Sequence, residues 1–191
     1  MKIGRITFAD PAAPSNQQFG PEIDKVLTEF FDGTHEVISI LAGDSDQVRA
    51  ALLRLCDEEK CPLVVTTGGT GPNPGDFMPD ATRSVLDREL PGFGEIMRAY
   101  SFERVKVSIL SRASAGVRGR SFIINLPSRP KAVKFCLGIV RDGLVDVLDQ
   151  VAGVQVTLRR DEIVVPLEKY LPFLKFLRVK PNPQGEHPSI S

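Results

Sequence analysis

The sequence predicts an α/β protein built on a mostly parallel sheet covered by helices. Three observations predict it. Strand-like and helix-like patterns alternate along the chain, the strands are short β-branched apolar runs, and a glycine-rich turn leaves one of them at its carboxyl end. In order, Met1 to Asp10 alternates apolar and polar, with Ile3, Ile6 and Phe8 marking a first strand. Ile23, Val26, Leu27, Phe30 and Phe31 fall on one helical face, which Gly33 ends. Val37–Leu41 reads as a second strand, and Gly43-Asp44-Ser45-Asp46 starts a helix whose stripe is Val48, Ala51, Leu52, Leu55 and Cys56. Leu63–Thr67 is the third strand. Pro79-Asp80 opens a helix expected over Ala81–Leu90, and Pro91-Gly92 turns into another carrying Phe93, Ile96, Met97 and Tyr100. Val105–Leu110 and Ser121–Asn125 read as further strands, Pro130 begins a helix running towards Val151 with weak points at Gly138 and Gly143, and Val154–Leu158 reads as a last strand. Leu167–Val179 reads as a short helix interrupted by Pro172, and residues 181–191 have the composition of a disordered tail, so residues 1–180 are expected to form a single domain.

Composition narrows the function classes. The 191 residues carry 24 Lys plus Arg against 24 Asp plus Glu, which leaves no basic footprint for nucleic acid or a membrane surface. A nucleotide is the better ligand. No apolar stretch approaches a membrane span, and the first strand lacks a signal-peptide core, so a cytoplasmic protein is expected. Cys56, Cys61 and Cys136 form no Cys-x-x-Cys pair and have no histidine nearby, which suits reduced core thiols and not a zinc site.

The chemistry concentrates in Leu63-Val64-Val65-Thr66-Thr67-Gly68-Gly69-Thr70-Gly71-Pro72-Asn73-Pro74-Gly75-Asp76. Three glycines within four residues let the backbone turn several N–H groups towards one anion with no Cβ in the way. Asp76 then stands where a cation bound to that anion would find an oxygen ligand. Pro72 after Gly71 excludes a Walker loop, and Pro72 and Pro74 delay the helix a dinucleotide fingerprint requires. Other candidates also follow strands. Asp44 follows the second, where an Asp between Gly and a helix is first of all an N-cap. Ser111 and Arg112 follow Val105–Leu110, and Asn125–Ser128 follow the next strand. If the first strand lies between the second and third, Asp44 and Asp76 flank one crevice and form a magnesium platform. Arg112, Arg118, Arg120 and Lys131 are further candidates for gripping phosphate.

Together Thr66-Thr67-Gly68-Gly69-Thr70-Gly71-Pro72, Asp76, Pro79-Asp80-Ala81-Thr82, Pro91-Gly92-Phe93-Gly94-Glu95, Met97-Arg98, Leu110-Ser111-Arg112, Ala115-Gly116, Arg118, Asn125-Leu126-Pro127 and Pro130-Lys131 resemble the molybdopterin adenylyltransferases of the MogA and gephyrin G-domain type. The likeness covers about residues 36–140 in order. It implies a three-layer α/β/α, molybdopterin-binding-like fold, a homotrimer, and Mg2+-dependent transfer of AMP from ATP to the terminal phosphate of molybdopterin, with a molybdenum insertase as a further partner. It also implies that Asp44 and Asp76 are the catalytic, metal-holding aspartates. By the same likeness Thr67, Gly68, Gly69, Thr70, Gly71, Ser111, Asn125, Pro127 and Ser128 bind phosphate or pterin. The chain departs from the family pattern in the first loop, where Asp10 is followed by Pro11-Ala12-Ala13-Pro14-Ser15-Asn16-Gln17-Gln18. It departs again at Gly75, at Met78, and at Ser128, which replaces a glycine. Beside the adenylyltransferase two other readings stand: a non-catalytic pterin-binding or scaffold homologue, and a nucleotide hydrolase on the same fold.

Overall fold

A computed structural model describes residues 1–9 and 18–159. Strand β1 (Lys2–Phe8) leads through α1 (Gly20–Phe30) to β2 (Glu36–Ala42), then through α2 (Ser45–Leu53) to β3 (Leu63–Thr67). Next come α3 (Met78–Arg83), β4 (Arg88–Glu89), α4 (Pro91–Arg104), β5 (Ala115–Arg118), β6 (Ser121–Leu126) and α5 (Pro130–Val147). The sheet order is β2-β1-β3-β6-β5-β4. Its first four strands are parallel, and β5 and β4 close one edge antiparallel.

Alternation along the strands builds two cores. Ile3, Leu63, Val65, Phe122, Ile124 and Leu126 face α1, α4 and α5, whereas Ile6, Phe8, Val64 and Ile123 face α2 and α3. All five residues of β3 are buried, as its unbroken apolar character requires of a strand covered on both sides. The expected three layers and the mostly parallel sheet are thus present.

Several boundaries differ from expectation. Val105–Leu110 is not a strand: Lys106–Leu110 is a 3₁₀ turn closed by Ser108 N donating to Val105 O (2.9 Å) and Ser111 N to Ser108 O (3.0 Å). The place beside β6 is taken instead by β5, which an Ala-Gly-Val-Arg sequence did not announce. The expected helix over Ala81–Leu90 stops at Arg83, because Asp87 N and Leu90 N donate to Val117 O and Ala115 O and draw the chain into β4 (both 2.8 Å). Val154–Leu158 forms no strand; a single antiparallel bridge joins Leu158 to Phe31. The last helix runs unbroken past Gly138 and Gly143 to Val147 and finishes in a π-turn over Leu148–Ala152. The segments expected as a Pro172-broken helix and a tail lie outside the described residues.

Candidate functional site

The strand order places β1 between β2 and β3, so the winding reverses there and a crevice opens at the carboxyl ends of these strands. Into it runs the glycine loop. Gly68 and Gly69 hold φ of +84° and +61°, in the left-handed region that side chains resist. At Gly69 space is also short, since a Cβ would lie 2.9 Å from Phe8 Cδ1. Phe8 in turn meets Phe77 edge-on at 5.0 Å, so an aromatic pair floors the loop. Gly68 N donates to Leu126 O (3.2 Å) and Met78 N to Gly69 O (3.2 Å), fixing the turn at both ends.

Asp76 closes the loop. Its Oδ2 accepts from Asn73 N (3.1 Å) and Asn73 Nδ2 (2.8 Å), while Oδ1 has no hydrogen-bond partner among the described residues. Asp44 caps α2: Oδ1 accepts from Gln47 N (2.8 Å), Oδ2 from Gln47 Nε2 (2.7 Å), and Gln47 Oε1 accepts from Gly43 N (2.9 Å). The capping role is therefore real, and each carboxylate oxygen keeps a lone pair for a cation. Both aspartates lie on the side of the crevice where α2 packs on α3. No group of three His, Cys, Asp or Glu that could hold a metal ion occurs among the described residues. Asp44 and Asp76 are hard oxygen donors of the kind magnesium accepts beside phosphate oxygens and water.

On the opposite face a cavity of about 380 Å³ opens beside the loop, lined by Thr70, Ser111 and Pro127 together with Lys131, Arg104 and Ser108. Lys131 lies in the first turn of α5, whose N-terminal dipole adds to its charge. Ser111, expected to follow a strand, follows the 3₁₀ turn instead, and its Oγ accepts from Ala113 N at 3.3 Å. Ser128 packs near Gly68.

Two of the expected ligand residues spend their side chains inside the protein. Asn125 is fully buried, with Nδ2 donating to Thr66 Oγ1 and Thr82 Oγ1 (both 2.8 Å) and Oδ1 accepting from Ser114 N (3.2 Å). These bonds hold the start of the Asn-Leu-Pro turn in place and use both Nδ2 hydrogens. Thr67 Oγ1 lies 3.2 Å from Thr7 Oγ1 and is buried. The arginines are likewise engaged. Arg118 chelates Asp57, holding that carboxyl below the usual range, and donates to Val85 O; Arg120 donates to Ala152 O (2.7 Å). Arg112 binds the loop itself.

Sequence reasoning missed one cluster. Arg5, 5% exposed, pairs with Asp24 through Nε and through Nη2 (3.1 Å) and also contacts Thr7 Oγ1, while Ser39 Oγ donates to Asp24 Oδ2 (3.0 Å). It floors a second cavity, of about 460 Å³, with Gln18, Gly20 and Leu41 on its walls. The only sign of it in the sequence is a charge at a strand position whose neighbours are apolar.

A glycine turn, a cavity edged by Lys131 and Arg104, and two acids near the switch point of a parallel sheet make an α/β arrangement suited to a phosphate-bearing ligand. The chain belongs to the family described as "probable molybdopterin binding domain", which matches residues 19–146. A molybdopterin adenylyltransferase of Helicobacter pylori is 44% identical over 154 residues, 79% of this chain and 88% of its own. That of Escherichia coli is 40% identical over 145 residues, 74% of each chain. Among solved structures, the molybdopterin biosynthesis enzyme MoaB of Thermus thermophilus aligns with a TM-score of 0.68 at 32% identity, over 81% of this chain and 98% of its own. The molybdopterin biosynthesis Mog protein of Mycobacterium ulcerans gives 0.68 at 32% identity, over 79% and 98%.

Proposed function

We infer that this protein is a molybdopterin adenylyltransferase of molybdenum cofactor biosynthesis, a nucleotidyltransferase that moves AMP from ATP to the terminal phosphate of molybdopterin. The observation that carries the reading is the placement of the glycine turn between a cationic cavity and two carboxylates, in a chain 44% identical to a protein of that name.

The cavity of Lys131, Arg104, Ser111 and Thr70 suits the pterin's anionic phosphate, and the N–H groups of Gly69–Gly71 suit charge developing on the transferred group. A terminal phosphate oxygen forms the new bond to the α-phosphorus of ATP, the α–β bridging P–O bond breaks, and pyrophosphate departs with its electrons. The nucleophile is already ionised, so no side chain has to take a proton. Asp44 and Asp76 would hold Mg2+, which when bound offsets the charge of the triphosphate and of the leaving group. Incubation of the protein with molybdopterin, ATP and Mg2+ is expected to yield adenylylated pterin and pyrophosphate in equal amounts. AMP or ADP released without pterin would indicate hydrolysis, and pterin bound without turnover a scaffold.

The proposed assembly is a homotrimer. Its support is the exposed apolar group Val105, Val107, Ile109 and Leu110, 53–67% exposed on the 3₁₀ turn and just before it, whereas Met97 and Tyr100 of α4 are buried within the chain. A cytoplasmic setting, with a molybdenum insertase receiving the product, is consistent with three buried free thiols.

A further inference from the structure

We propose that Arg112 is the positioning residue of this site: it fixes both ends of the Gly71–Asp76 turn and thereby sets where the Asp76 carboxylate points. Its guanidinium reaches three parts of the loop at once. Nε donates to Gly71 O (3.0 Å), Nη2 donates to the main-chain oxygen of Asp76, and Nη1 donates to both oxygens of Asp80 (3.0 and 2.8 Å), just beyond the loop in α3. Its own main-chain N–H donates to Thr70 O at 2.7 Å. Four of the five side-chain N–H groups are thereby used on the loop and its exit helix.

A planar fork is needed for this. The two bridged carbonyls belong to residues five apart, and a lysine ammonium on a flexible stem has no fixed second and third direction with which to hold them. Within the turn, the side chains of Asn73 and Asp76 bond to each other, and the base of the loop is tied at Gly68 and Gly69 to Leu126 and Met78. Between those ties and the exit helix, the Gly71–Asp76 segment is held through Arg112.

Arg112 is itself anchored. Arg98 Nη1 donates to the carbonyls on either side of it, Ser111 O (3.3 Å) and Ala113 O (2.7 Å). Two arginines in series thus connect helix α4 to the glycine loop. Because these donors are spent on protein acceptors, Arg112 acts through Asp76.

The proposal rests on the adenylyltransferase reading, and its test separates the two. In R112K, hydrogen exchange of the amides in residues 68–77 is expected to quicken about tenfold or more while β1, β3 and β6 keep their protection. The rate of adenylyl transfer at saturation is expected to fall about 100-fold, with the KM for molybdopterin within about threefold of the parent and the Mg2+ concentration for half-activity raised. Guanidinium ion is expected to recover part of the activity of R112A, and methylammonium none. R98K provides a second variant, expected to speed exchange in the same residues to a smaller extent. Unchanged exchange over residues 68–77 in R112K, or a KM rise as large as the fall in rate, would overturn the positioning role. A parent protein that makes no adenylylated pterin would instead overturn the reading of function, and the exchange measurement would still decide the role of Arg112.

Discussion

A Cβ placed on Gly94 would lie 2.1 Å from the carbonyl oxygen of Ala113, the same oxygen that receives Arg98 Nη1 at 2.7 Å. Helix α4 and the segment carrying Arg112 touch backbone to backbone at this point. Inside a helix, Gly→Ala ordinarily stabilises by about 0.5–1 kcal/mol. Here overpacking costs about 1–3 kcal/mol, so the sign reverses and Gly94→Ala is expected to lower stability. Urea unfolding checks this; a gain of the ordinary size would show that the two elements separate freely.

Asn125→Ala is expected to cost about 2–4 kcal/mol, because it strands the hydroxyls of Thr66 and Thr82 and the N–H of Ser114 in a buried site at about 1–3 kcal/mol each, partly relieved by relaxation. Most of the activity lost in this variant should return at temperatures where it is fully folded. The comparison is a thermal melt beside an activity-temperature series.

The two aspartates can be told apart from their structural duties. Asn caps a helix about as well as Asp, so Asp44→Asn is expected to change stability by less than about 0.5 kcal/mol. Its loss of charge should still reduce adenylyl transfer about 100-fold or more. Asp76→Asn is expected to keep the fold and abolish transfer, since the amide can still accept from Asn73. Turnover within a few-fold of the parent would leave Asp44 a cap, or Asp76 a turn residue, and nothing more.

Light scattering at micromolar concentration is expected to give three times the monomer mass. Ile109 is 64% exposed within the chain, so Ile109→Ser should leave the subunit folded yet shift the assembly towards monomer. A concentration-independent monomer for the parent chain would remove the trimer.

The thiols set an alkaline limit. Burial denies their thiolates solvation and pushes Cys56 and Cys61 up to about 11 and Cys136 up to about 12. Unfolded thiols lose their protons near the ordinary value of 9.0, so above it the unfolded chain binds fewer protons than the native one. Stability is therefore unaffected by these groups below pH 9 and falls as pH rises from 9 through about 11. The urea midpoint should drop between pH 8.5 and 10.5, and iodoacetamide at pH 8 should label none of the three cysteines until the protein unfolds.

What the sequence could announce was whatever depends on neighbours along the chain. The β-branched run Leu63–Thr67 and the glycines behind it specify a buried strand and a left-handed turn locally, and Asp44 before Ser45 is a cap wherever the helix lies. Val105–Leu110 shows the limit of such reading: its alternation is strand-like, but pairing depends on which segment reaches the sheet, and beside β6 that segment is β5. The site divides in the same way. The glycine turn and the acids proposed for phosphate and metal were legible because their chemistry is carried by residue type. That Arg112 grips the loop, that Asn125 is spent on two threonines 43 and 59 residues away, and that Arg5 finds Asp24 were decided by tertiary structure. An arginine or an asparagine advertises its donors in sequence, but which acceptor stands within 3 Å depends on how distant segments pack.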